Sequence, residues 1–189
     1  KYKDISGPDG VPDGKIDSHD RTIIGNPTPR YEFGLTLGLQ WKGIDFSAFF
    51  QGVGKKDVYY SGAGARALCG NYTIYKYQFD YWTPENPDAK FPRLLEDPNA
   101  TNPNNMISSF WVKSGAYCRL KNIVLGYTLP SSITKTAHIS KLRVYASAQN
   151  LFTIKDNFYE GFDPENSVSS GASLYPLNKT FVFGLNVEF

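Results

Sequence analysis

The sequence predicts an all-β chain, its antiparallel strands forming the C-terminal part of a large transmembrane β-barrel. Three observations carry this expectation. From Phe181 to Phe189 every odd position is apolar, and Thr180, Gly184, Asn186 and Glu188 fall among the even ones. Such alternation puts one set of side chains on each face of a strand. Five stretches of this kind recur, joined alternately by short and long connections. No apolar run approaches the roughly 18–20 residues of a membrane helix, which leaves barrels untouched because their strands hide only alternate residues.

The strands are expected at 30–41, 44–51, 117–129, 142–152 and 179–189. In the first, Tyr31, Phe33, Leu35, Leu37, Leu39 and Trp41 share a face opposite Glu32, Thr36 and Gln40. Lys42-Gly43 makes a tight hairpin turn into the second strand. There Ile44, Phe46, Ala48 and Phe50 alternate with Asp45, Ser47 and Gln51, and Phe49 is the exception. In the third strand, Ile123, Leu125, Tyr127 and Leu129 form the apolar face. Simple parity also places Arg119 and Lys121 there, so that face is expected to leave hydrocarbon before reaching them. Pro130 ends the strand, and 131–139 make a short connection with one helical turn. The fourth strand sets Leu142, Val144, Ala146 and Ala148 against Arg143, Tyr145, Ser147 and Gln149.

Long loops are expected at 1–29, 53–116 and 153–178, all at one end of the sheet. Outer-membrane barrels are built with short turns on the inside and long loops outside. A soluble secreted β-sandwich that binds carbohydrate is the alternative, with core packing replacing lipid contact. Tyr31, Trp41, Tyr127, Phe181 and Phe189 are expected as interfacial aromatics in the first reading and as core in the second. Five strands cannot close a transmembrane barrel, so the first reading implies that this is part of a larger barrel.

Composition narrows the function. The 189 residues carry a formal net charge of +2 with no clustered basic run, which argues against a nucleic-acid footprint. The two cysteines, Cys69 and Cys118, fit no CxxC pattern. His19 and His138 have no metal-ligand spacing, and neither a nucleophile elbow nor a phosphate-binding glycine loop occurs. Glu160, Asp163 and Glu165 could pair as a glycosidase acid and nucleophile, but carboxylates on an exposed loop are usually solvated. No catalytic residue is assigned, and the chain is not expected to be an enzyme.

Two loop regions carry candidate sites. Aromatic platforms suit sugar stacking and protein contact, which singles out Trp82, Tyr75 and Tyr77 in the longest loop. In the N-terminal loop, acid–glycine punctuation resembles a calcium loop. Counting from Asp9, Asp13 falls at position 5, the Lys15 carbonyl at 7, Asp17 at 9 and Asp20 at 12. Val11 at position 3 cannot ligate through its side chain. The competing reading is a surface turn of Asx and Gly residues.

Several stretches read together point further. They are Ile24-Gly-Asn-Pro-Thr-Pro-Arg-Tyr31, Phe49-Phe-Gln-Gly-Val-Gly54, Tyr81-Trp-Thr-Pro-Glu-Asn-Pro87 and Phe91-Pro-Arg-Leu94. After them come Phe110-Trp-Val-Lys113, Arg119-Leu-Lys-Asn-Ile-Val-Leu-Gly-Tyr-Thr-Leu-Pro130, Leu142-Arg-Val-Tyr145, Gln149-Asn-Leu-Phe-Thr153, Gly161-Phe-Asp-Pro-Glu165 and Tyr175-Pro-Leu177. In this order they closely resemble the C-terminal end of SusC/RagA-type TonB-linked outer-membrane receptors of Bacteroidetes. The resemblance implies a plugged barrel of about 22 strands in the bacterial outer membrane that imports glycan or peptide fragments. It implies a SusD-like surface lipoprotein as partner, and TonB acting through an N-terminal part not included here. It also implies an uninterrupted Asp-x-Asn-x-Asp-Gly run in the N-terminal loop. Here a Gly-Pro-rich insertion follows Asp4-Ile-Ser6, which puts the calcium ligands in question.

Overall fold

The fold is taken from a computed structural model, which describes residues 2–61, 67–68, 74–95, 104, 106–158, 162–165 and 177–189. Two compact units emerge: residues 2–27 with 57–113, and residues 28–56 with 114–165 and 177–189.

The second unit is built on one five-stranded antiparallel sheet. Its strands are β1 (Tyr31–Trp41), β2 (Ile44–Gly54), β5 (Tyr117–Thr128), β6 (Lys141–Lys155) and β7 (Thr180–Glu188), in that spatial order. A short ribbon of β3 (Asp57–Tyr59) and β4 (Val112–Ser114) lies within the 53–116 connection, which is therefore not wholly irregular. The helical turn α1 (Ser131–Thr134) follows Pro130 and continues as a 3-10 turn, Lys135–Ala137.

Register converts the sequence alternation into two continuous faces. Leu37 lies opposite Ala48, Ala48 opposite Ile123, Ile123 opposite Ala148, and Ala148 opposite Phe181. The next row runs Leu39, Phe46, Leu125, Ala146, Phe183, and the one after it Trp41, Ile44, Tyr127, Val144, Leu185. No charge interrupts these rows. The intervening rows, such as Thr36, Phe49, Asn122, Gln149 and Thr180, are mostly polar or small.

The apolar face is uncovered: Leu37 is 46% exposed and Phe183 82%. A sandwich would cover that face with a second sheet, and among the described residues none does so. Monomeric soluble proteins rarely leave so continuous an apolar surface open. β1 has the length for a bilayer. Its 11 residues rise ~3.4 Å each, so Tyr31 to Trp41 spans ~34 Å along the strand. Tilted by about 45°, that is ~24 Å, close to the roughly 25 Å apolar band of outer-membrane barrels.

A β-bulge corrects the expectation for Arg119. Between Asn122 and Leu120 the pairing skips Lys121 on β5, while β6 carries Asn150 and Leu151 in excess. Asn150 takes the left-handed conformation, φ 53°, as bulge residues often do. The extra residue shifts the phase, so Leu120 and Cys118 continue the apolar face. Arg119 and Tyr117 then join Thr153 and Lys155 on the polar face. Cys118 is a free thiol, and Cys69 lies outside the described residues.

Glycines make room for side chains lying across neighbouring strands. A Cβ on Gly126 would come within 2.5 Å of both Arg143 Nη2 and Asp45 Oδ1. The Arg143–Asp45 ion pair (Nη2–Oδ2 2.5 Å, Nε–Oδ1 2.8 Å) thus bridges β6 to β2 over the glycine of β5 between them. Gly184 likewise accommodates the Tyr145 ring, and Gly52 and Gly54 the rings of Phe33 and Tyr31. β2 therefore runs on to Gly54, beyond the expected end at residue 51.

Candidate functional site

The polar face concentrates charge at two places. Near the short turns it carries the Asp45–Arg143 pair, with the guanidinium 4.9 Å from the Tyr145 ring. At the opposite end, where the long connections leave the sheet, it carries a larger cluster around Arg119. The Arg119 side chain is only 2% exposed. Its Nε donates to Thr153 Oγ1 at 2.7 Å and its Nη2 to Asp163 Oδ2 at 2.6 Å. Nη1 faces Glu165 Oε1 at 3.1 Å, an ion pair without hydrogen-bond alignment. Lys121 Nζ donates to Glu165 Oε2 at 2.8 Å.

Two further lysines reach the same segment through its backbone. Lys155 Nζ donates to the Phe162 carbonyl, and Lys56 Nζ to that of Pro164 at 3.5 Å. Asp163 Oδ1 accepts the Glu165 N–H at 2.9 Å, closing an Asx turn around the buried Pro164. Asp163 and Glu165 are thus engaged by cations rather than poised as an acid and nucleophile. Glu160 lies outside the described residues. Removing one partner of a buried ion pair typically costs about 3–5 kcal/mol, because the other charge is left uncompensated. Sequence reading missed this cluster, and the signal for it was two cations on a supposedly apolar face.

The loop aromatics divide. Tyr75 and Tyr77 stack, with ring centroids 5.7 Å apart and planes 11° apart, and Phe91 follows 6.0 Å from Tyr77. Gln78, 1% exposed, fixes the 3-10 turn Lys76–Phe79 beneath them by accepting the Tyr75 N–H at 2.8 Å. Burial first, and the neighbouring Tyr75 second, push the Tyr77 hydroxyl pKa well up, so it stays protonated in any physiological medium. Trp82 is held by its backbone, donating to the Phe91 carbonyl at 2.9 Å, and its side chain is exposed.

The calcium expectation meets a different arrangement. Asp4, rather than Asp9, accepts the Gly14 N–H, at 2.6 Å. Asp20 takes the N–H groups of Ile5 (2.7 Å), Ser6 (3.2 Å) and Asp17 (2.9 Å). Asp17 accepts from His19 N at 2.8 Å, and Asp13 from Lys15 N at 2.9 Å. Among the described residues no three acidic, histidine or cysteine side chains gather as metal ligands. Asp9, Asp13, Asp17 and Asp20 are thus not drawn together as one group, and Lys15 enters the loop as a backbone donor to Asp13. Its carboxylates cap backbone donors instead.

That capping predicts a pH response. The Asp17 N–H, then that of Ile5, hold the Asp20 carboxyl below the ordinary 3.8. The His19 N–H and ring do the same for Asp17. Depressed folded-state values mean the stabilisation is fully present above the ordinary pKa and is lost as pH falls from there through the lowered folded-state value. Amide exchange at Ile5, Ser6 and Asp17, corrected for intrinsic rates, should stay slow at neutral pH and rise once acidification passes the lowered carboxyl values. Asp20→Asn should remove most of that dependence.

The comparisons agree with this geometry. A uniformly apolar face, a polar opposite face and long connections at one end define a segment of an outer-membrane receptor barrel. The chain belongs to the SusC/RagA family of TonB-dependent receptors and matches their C-terminal region. It is 34% identical over 205 residues to a TonB-dependent receptor of Formosa agariphila, with all of this chain and 19% of the relative covered. It is 30% identical over 178 residues to the TonB-dependent receptor SusC of Bacteroides thetaiotaomicron, covering 93% of this chain and 17% of that one. Among solved structures, the RagAB peptide transporter superposes with a TM-score of 0.72 at 27% identity, covering 98% of this chain and 20% of that one. The RagAB peptide importer in its open-open state gives 0.70 at 28%, over 96% and 20%. No family model matches the chain. The chain spans about a fifth of the length of these relatives.

Proposed function

We propose that this chain is wall and external loop of an outer-membrane importer that takes up glycan or peptide fragments. One observation carries the reading: five strands in register present unbroken apolar rows on one side and polar residues on the other. The apolar rows face outer-membrane lipid. The polar rows, with Arg143–Asp45 and the Arg119 cluster, face a lumen filled by the plug of the same receptor chain. The chain catalyses nothing; its part is to bound the path and shape the mouth. Energy comes through TonB acting on the receptor's N-terminal part. The likeness to a peptide importer supports peptides as cargo, and the likeness to SusC is equally compatible with glycans.

The segment before β1 and the connections from β2 to β5 and from β6 to β7 lie on the extracellular side and meet a SusD-like surface lipoprotein. Within them Tyr75 and Tyr77 form a contact platform, with Trp82 as a neighbouring exposed ring for partner or ligand. Stacked tyrosines present rigid amphipathic area at low entropic cost, which is why tyrosine is enriched at interfaces. Replacing Tyr75 and Tyr77 by alanine in the full-length receptor should weaken co-purification with the lipoprotein about tenfold or more, the loss expected of a central aromatic contact. Unchanged affinity would remove the platform from the interface. Abolished uptake of labelled oligomers on deletion of the receptor tests the import reading itself.

A further inference from the structure

Four cations, three on two strands and one just past a third, converge on one four-residue segment. Lys56 just beyond β2, Arg119 and Lys121 of β5, and Lys155 of β6 all contact Phe162–Glu165, two through carboxylates and two through carbonyls. Arg119 is the centre: it is buried, it spends all three guanidinium nitrogens on this cluster, and the β5 bulge turns it to the polar face. An ordinary surface loop needs no such investment of buried charge.

We propose that Arg119 is a positioning residue, fixing the foot of the β6–β7 connection against the polar side of the wall. On the importer reading, on which this inference rests, Phe162–Glu165 is then a fixed rim of the mouth and not a free lid. Anchoring by a buried guanidinium should resist salt. At 1 M ionic strength the Debye length is about 3 Å, which screens exposed pairs but little of a desolvated one. Lysine cannot replace arginine here, because one ammonium cannot span Thr153, Asp163 and Glu165 in the geometry of a planar fork.

The test is hydrogen–deuterium exchange on the full-length receptor in outer-membrane vesicles, comparing wild type with Arg119→Met and with the double variant Asp163→Asn, Glu165→Gln. The wild type should keep the amide of residue 165, which donates to Asp163 Oδ1, protected in 1 M NaCl. In both variants that amide should exchange at least about tenfold faster while β5 and β6 remain protected, and Arg119→Lys should fall between. The double variant keeps Arg119, so it tests the anchor even where Arg119→Met assembles poorly. Unchanged exchange at the segment, with the strands protected, would overturn the proposal. So would loss of assembly in both variants, which would make the cluster a requirement of the whole fold. Unprotected strands in the wild type would instead sink the wall reading.

Discussion

Leu37→Arg should destabilise the assembled receptor by about 2–4 kcal/mol, the depth-dependent cost of an arginine on the lipid face of a barrel near the bilayer midplane. Leu37 sits in the apolar row that continues through Ala48, Ile123, Ala148 and Phe181. A guanidinium there has no anion within its own row and no water to turn to. Its neighbour Thr36 points to the opposite face, opposite Phe49 of β2. Thr36→Arg should therefore cost clearly less, because on that face the guanidinium meets polar neighbours and the lumen instead of hydrocarbon. Urea unfolding from lipid bilayers, read by heat-dependent gel mobility, compares the two. Equal costs would mean that the two faces see the same medium, as in a soluble sheet.

Gly43→Val should cost about 2–3 kcal/mol, from positive-φ strain together with steric overlap. Lys42 and Gly43 both have positive φ, 46° and 85°, the signature of the type I′ turn that matches strand twist. A Cβ at Gly43 would also fall 2.7 Å from the Thr128 carbonyl oxygen, so the neighbouring strand end would have to move. Lys42 offers the opposite sign. It holds a conformation that asparagine adopts more readily, so Lys42→Asn should stabilise the hairpin slightly. The same unfolding assay reads both, and a tolerated Gly43→Val would show that the turn does not set the β1–β2 register.

The strands were legible where alternation runs without interruption. β1 and β7 have no bulge, so parity alone assigns every side chain to a face. β5 was misread beyond Asn122 because a bulge leaves no mark in the sequence: Lys121 looks like one more alternating position, yet it shifts the phase of everything before it. The cost was the Arg119 cluster, placed on the wrong face and left without its partners Asp163 and Glu165. Gly52 and Gly54 fall past the expected strand end at residue 51, whereas they are strand positions covered by the rings of Phe33 and Tyr31. In the N-terminal loop the spacing from Asp9 matches a metal template in part, whereas the Asp4 to Gly14 contact spans ten residues and no spacing rule reads it. Aromatic composition flagged Tyr75 and Tyr77, and only the 3-10 turn beneath them shows that they stack.

The most direct measurement is a single-cysteine scan of residues 35 to 40 in the full-length receptor, in native outer membranes, with Cys69 and Cys118 replaced. Each site carries an environment-sensitive fluorophore, read with brominated-lipid quenching and with an aqueous quencher. The wall reading predicts strict alternation: Leu35, Leu37 and Leu39 quenched by lipid, Thr36, Gly38 and Gln40 shielded from it. Lipid quenching absent from all six, or uniform along them, would contradict a strand with one face in the bilayer.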